Sequence, residues 1–186
     1  MYMAIDRYYT TEMVRELNAR EPRHWPRYET VHGELFVSAG PRPLHQIVVT
    51  RLIVALGNYL EREHVGQLFT SPSQISWGLP DVYVQPDVFV VPVEQARTLE
   101  WSALAPTLVV EVLSPSTARA DRHAKRRLYQ ERRVPLYCLV DADARSLECW
   151  TSETIFPRTE REEIVWHPDG ARVPFVLALA ELFRAI

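Results

Sequence analysis

A single lysine, Lys125, stands among 186 residues, against twenty arginines. Lysine is ordinarily one of the commonest residues. Its near-absence marks a strong arginine bias and makes the one retained position worth following. Cysteine is also scarce, with Cys138 and Cys149 alone. That excludes a disulfide-stapled scaffold, and no metal-type cysteine spacing exists. The two flank the stretch DADARS, so they are candidate cross-strand neighbours in a hairpin; we read them as buried thiols packing as small hydrophobes. Only six glycines occur, none in G-x-G-x-x-G or G-x-x-x-x-G-K spacing, which excludes a P-loop enzyme. No G-x-S-x-G elbow appears, which argues against a serine hydrolase. No apolar run approaches about 18 residues, so no transmembrane helix is expected. No charged segment followed by an apolar one opens the chain, and a cytoplasmic location is the expectation. An excess of basic charge is missing too: 21 Lys and Arg face 24 Asp and Glu, a net charge of -3, so the whole chain is not a basic nucleic-acid coat.

What is present suits a globular protein. Hydrophobic residues make up 47% and charged residues 24%. The length fits one domain, residues 1–186, with a core of about 28–153 to which an N-terminal helix and a C-terminal tail are added. TTEMVRELNAR reads as a short helix, and YETVHGELFVSAG as a strand pair around Gly33. Val48, Leu52, Leu56 and Leu60 recur every four residues, which predicts a core-facing helix from Leu44 to about His64. Residues 67–78 and 82–92 read as strands. TLVVEVL, residues 107–113, reads as a strand buried on both faces. Ser114-Pro115-Ser116-Thr117 breaks it and supplies helix caps. Residues 117–133 then read as a helix, PLYCLVD as a strand, SLECW as its partner, and FVLALAELFRA as a closing helix. The order predicts an α/β (α+β) fold with a mixed central β-sheet flanked by helices.

Two carboxylates sit where strand physics disfavours them. Glu111 lies inside LVVEVL and Asp87 inside VYVQPDVFVV. A buried carboxylate must be paired, bind a metal or be held protonated, because an isolated buried charge costs several kcal/mol. Two readings stand: salt bridges to some of the arginines, or a shared metal site, for which hard oxygen ligands favour Mg2+ or Mn2+. Pro86 removes one ladder donor just before Asp87 and marks an irregularity in the strand. Gln85 shares the Asp87 face by alternation and is a candidate to line the cleft.

The helix TARADRHAKRRLYQERR carries Asp121, Lys125 and Tyr129 at i, i+4 and i+8, on one face. From Arg119 to Arg133 seven basic residues meet two acidic ones, a local charge of +5. This is a phosphate-attracting surface or a solvated face paired with acidic neighbours.

These residues, in this order, resemble the Uma family of restriction endonucleases, a branch of the P-D…(D/E)-x-K nuclease superfamily. The matching stretches are YETVHGELF, the helix opening with His45, QPDVFVV, LVVEVLSPST, the D-x-x-x-K-x-x-x-Y helix, and VPLYCLVD. The resemblance implies a restriction-endonuclease-like core with Asp87 and Glu111 as metal ligands. Leu113 stands where the wider superfamily has its lysine, and the resemblance assigns that amine to Lys125 on the next helix. It also makes Glu34 and His45 candidates. Glu34 is a further metal carboxylate or an exposed turn residue; His45 is a supporting group of the site or a helix-terminus hydrogen bonder. Tyr129 reads as packing or orienting.

The implied function is Mg2+-dependent (or Mn2+-dependent) endonucleolytic hydrolysis of DNA, with a homodimer expected for cutting two strands. Two rivals remain at this level. One is a catalytically inactive nuclease fold serving as a DNA-binding or protein-interaction module. The other is a hydrolase for small phosphoesters.

Overall fold

The computed structural model describes residues 7–21, 25–98, 100–115 and 117–185. Helix α1 (Thr11–Ala19) is capped by the Thr10 hydroxyl, which accepts from the Met13 amide. Strands β1 (Arg27–Val31) and β2 (Glu34–Ser38) form the expected hairpin. Its two-residue turn holds His32 at φ 51° and Gly33 at φ 81°, as a tight hairpin of matching twist requires. Helix α2 (Pro43–Glu63) follows; it starts with a proline, whose missing N–H costs nothing there, and stops at the left-handed His64.

Strands β3 (Gln67–Thr70) and β4 (Val88–Val91) are shorter than the sequence predicted. The segment between them makes two isolated bridges, Ile75 to Val84 and Tyr83 to Thr30, and β4 starts just after the Pro86-Asp87 pair. Helix α3 (Val93–Thr98) leads to β5 (Leu108–Val112). The predicted 117–133 helix is three pieces in succession: α4 (Ala118–Ala120), a π-helical stretch Asp121–Lys125, and α5 (Arg126–Glu131). Ser116 of the expected cap lies outside the described residues. Strands β6 (Leu136–Asp141) and β7 (Ser146–Trp150) come next, then β8 (Arg158–Glu160) and β9 (Glu163–Trp166). The tail expected as one helix is divided: β10 (Phe175–Ala178) pairs with β9, and only α6 (Leu179–Leu182) is helical.

The central sheet has six strands in the order β3-β4-β5-β6-β7-β8. Only β5 and β6 run parallel, connected through the 118–131 helix, and every other pair is antiparallel. Alternation divides the side chains between two cores. Val88, Val90, Val110 and Val112 pack with the Val48, Leu52, Leu56 and Leu60 stripe of α2. Phe89, Val91, Val109 and Leu139 pack on the other face with Leu128 and Tyr129 of α5 and Val31 of the hairpin.

One expectation is overturned. Cys138 and Cys149 are joined in a disulfide rather than held as thiols. They are register partners in the β6–β7 pair, with Cα atoms 4.2 Å apart, which brings the two side chains directly opposite.

Candidate active site

Register brings the two misplaced carboxylates together. Val88 pairs with Val110, so the next step along the β4–β5 ladder sets Asp87 opposite Glu111. Each carboxylate bonds to the other's strand: Glu111 Oε2 accepts from the Asp87 amide at 3.2 Å, and Asp87 Oδ2 accepts from the Val112 amide at 2.9 Å. Both are buried, at 7% and 2% exposure. Both lie on the alternation face shared with Phe89 and Val109, which the 118–131 helix covers.

Three elements converge on them. From the π-helical stretch, Lys125 directs its ammonium to Glu111 Oε1 at 2.9 Å, Glu29 Oε2 at 2.9 Å and Asp121 Oδ1 at 3.3 Å. From the start of α2, His45 Nε2 donates to Asp87 Oδ2 at 3.0 Å. From β1, Arg27 faces Asp87 Oδ1 at 3.9 Å and donates to the Ser71 hydroxyl at 2.6 Å. Glu29 also accepts from the Gln85 amide at 2.7 Å. A cavity of about 20 Å3 opens between Asp87, Glu111, His45, Lys125, Ser114 and Thr117, which is room for one water or ion. A cleft of about 370 Å3, lined by Trp25, Arg27, His45, Ser71 and Gln85, reaches Asp87 from outside.

Most of the expected residues therefore meet: Asp87, Glu111, Lys125, Asp121 and His45 in the cluster, with Gln85 beside it. Tyr129 is buried against Tyr137, with ring centroids 4.7 Å apart, and packs under the cluster. Glu34 does not join. It is exposed at the start of β2, one residue past the turn, and lines a different cleft. The carboxylate that β1 and β2 do contribute is Glu29, 1% exposed. Its neighbours Tyr28 and Thr30 are polar or amphipathic, so the rule that marked Asp87 and Glu111, a carboxylate between apolar strand residues, does not reach it. Arg27 carried no signal of that kind either.

The electrostatics are unbalanced. Four buried carboxylates (Glu29, Asp87, Glu111, Asp121) face two fixed cations (Arg27, Lys125), a formal excess of two negative charges when all four are ionised. Burial pushes the Glu111 carboxyl well above the usual range; Lys125 pulls it down, while Asp121, Asp87 and Glu29 push it further up. Burial raises Asp121 as well, against Lys125 and Thr117. For Asp87 burial also pushes upward, but His45, Arg27 and the Val112 amide outweigh it and hold the group below its ordinary value. Burial alone would lower Lys125, yet Glu111, Glu29 and Asp121 hold its ammonium well above the ordinary range.

The family model described as "Putative restriction endonuclease", Uma2, matches residues 14–182. The chain belongs to the Uma2 family. A relative from Synechocystis sp., "Uncharacterized protein slr1290", is 32% identical over 109 residues, 59% of this chain. That match spans 57% of the relative's own length. A solved structure, described as a putative nuclease belonging to DUF820 from Anabaena variabilis, superposes with a TM-score of 0.72. It covers 89% of this chain and 94% of that one at 17% identity, which shows a shared fold. The mixed sheet with flanking helices is thus a nuclease fold.

A divalent ion can be tested against these residues. Asp87 and Glu111 supply hard oxygen donors beside a cavity of matching scale, and the cluster, when fully ionised, has two negative charges to spare. Among the described residues no third His, Cys, Asp or Glu completes a protein cage. That donor set fits Mg2+ or Mn2+, which keeps waters and takes phosphate oxygens alongside one or two carboxylates. It does not fit structural zinc.

Proposed function

We infer that this Uma2 protein hydrolyses phosphodiester bonds in DNA with the help of Mg2+ or Mn2+ at Asp87 and Glu111. The observation that supports the reading most is the charge excess: four carboxylates drawn into one buried cluster against two cations. Fully ionised, such an arrangement is costly unless a further cation joins it; without one, protons held by Glu111 and Asp121 relieve it. When bound, the ion would polarise the phosphoryl group and lower the pKa of a coordinated water.

The chain's own residues prepare that chemistry. Asp87 is kept ionised by His45 and Arg27, so it is ready as a ligand at neutral pH. His45 Nε2 donates to one Asp87 oxygen and fixes the carboxylate's orientation. The Val112 amide does the same from the neighbouring strand. Lys125 contacts three carboxylates, so its role is to neutralise Glu111 and set the position of its carboxylate. From there its fixed charge also opposes the negative charge that develops on phosphoryl oxygens during attack. Glu29 and Asp121 hold the ammonium in place from the hairpin and the helix.

The test is incubation of plasmid, linear and single-stranded DNA with purified protein, with and without Mg2+ or Mn2+. The wild type is expected to cleave only with metal. Asp87→Ala, Glu111→Ala and Lys125→Ala are each expected to lose cleavage by two orders of magnitude or more. Equal activity in all four proteins would remove the assignment.

A further inference from the structure

A cleft of about 920 Å3 lies between the β1–β2 hairpin and the 118–131 helix, outside the carboxylate cluster. Its helix wall carries Arg119, His123 and Arg127, one helical turn apart, all exposed. Ala120 and Ala124 lie along the same wall, so the side chains at its base are small. Arg119 has no hydrogen-bond or ion-pair partner among the described residues. Arg127 has only a 3.9 Å contact with Glu131. The hairpin wall is apolar at Leu35 and Phe36, with Glu34 as its one acidic group.

The two elements that form these walls also border the active site. The helix side runs from Arg127 back through Arg119 to Thr117, and Thr117 lines the small cavity beside Asp87 and Glu111. The hairpin side runs from Glu34 through Phe36 to Ser38, which lines that same cavity. The cationic row and the small cavity beside the carboxylates are thus bordered by the same two elements.

Resting on the nuclease reading above, we propose that this cleft binds the phosphate backbone of one substrate strand and guides it into the cluster. Arg119 and Arg127, eight residues apart, take two separate phosphates, the Leu35–Phe36 wall faces the bases, and Glu34 weakens the contact by repulsion. This gives a local strand-binding surface to a chain whose net charge is -3. It also gives Glu34, which lies outside the cluster, a definite influence on binding.

The experiment is fluorescence anisotropy of a labelled single-stranded oligonucleotide in metal-free buffer over a series of salt concentrations. Arg119→Gln/Arg127→Gln is compared with wild type, with Glu34→Gln, and with the charge-matched control Arg97→Gln/Arg184→Gln on distant surfaces. The slope of log K against log salt is expected to fall by about 1.4 in the groove double variant, two contacts at about 0.7 each. The control is expected to keep the wild-type slope, Glu34→Gln to bind more tightly, and the thermal midpoints of all four proteins to agree. A groove variant with the wild-type slope, while wild type cleaves DNA in an Asp87-dependent way, overturns this proposal alone. Wild type that neither binds nor cleaves overturns it together with the nuclease reading.

Discussion

Lys125 is 1% exposed, yet it carries an ammonium. A lysine so placed is tolerable only because Glu29, Glu111 and Asp121 surround it. Lys125→Met would leave those carboxylates without their partner. We expect a loss of about 3–5 kcal/mol, seen as a thermal midpoint lower by on the order of 10 °C. An unchanged midpoint would show that the ammonium is not the counterion described. Lys125→Arg is expected to lose metal-dependent cleavage, since a planar fork cannot meet three carboxylates arranged for a compact charge. Glu29→Gln and Glu34→Gln separate the two candidate carboxylates of the hairpin. The first is expected to lower both stability and cleavage, and the second to spare both. The sequence made Asp87, Glu111 and Lys125 legible because each violates a local rule: a charge in an apolar strand, or a sole survivor of compositional bias. Glu29, between Tyr28 and Thr30, breaks no such rule, and the family resemblance made Glu34 the hairpin's candidate instead. Arg27 was invisible because one arginine among twenty breaks no rule.

At the scale of elements, the π-helical stretch Asp121–Lys125 matters most. Spacing predicted one shared face for Asp121, Lys125 and Tyr129, and all three are buried. The wider turn, however, is absent from any four-residue periodicity, and such turns are frequent at functional sites. Deleting Ala124 removes one residue from the wide turn and lets the helix close as a regular α-helix, which rotates Asp121 relative to Lys125 and Tyr129. Far-UV circular dichroism is expected to show retained helix while cleavage is lost; full cleavage would show that the turn is incidental. The β6–β7 hairpin supports the opposite edge of the site. Its Cys138–Cys149 bond closes a loop with a sequence separation of 11, so reduction is expected to cost about 2–3 kcal/mol. Composition disfavoured that bond, whereas exact strand register, which composition does not encode, permits it. The strands β8, β9 and β10 were also missed, because residues 158–163 are dominated by charge and their pairing is set by tertiary contacts.

At the scale of the whole molecule, the charge excess couples folding, protons and metal. Glu111 and Asp121 have raised pKa values, so the folded state retains protons that the unfolded chain has already released. Metal-free stability should therefore fall as pH rises from about 4 through those raised values. Asp87 is the opposite case: its stabilising contribution is present above about pH 3.9 and lost as pH drops through its lowered value. A metal ion needs Glu111 ionised, so binding should release protons and strengthen as pH rises through the Glu111 range.

That coupling is tested most directly by Mn2+ titration of the purified protein, read as the thermal midpoint, in wild type and in Asp87→Asn and Glu111→Gln. At about one hundred times the dissociation constant, wild type should gain about 2.7 kcal/mol. That corresponds to a rise of roughly 5–10 °C, larger at about pH 8 than at about pH 5.5. The two variants should show little or none of it. A wild-type midpoint that Mn2+ leaves unmoved, or an equal rise in all three proteins, would contradict a metal site at Asp87 and Glu111.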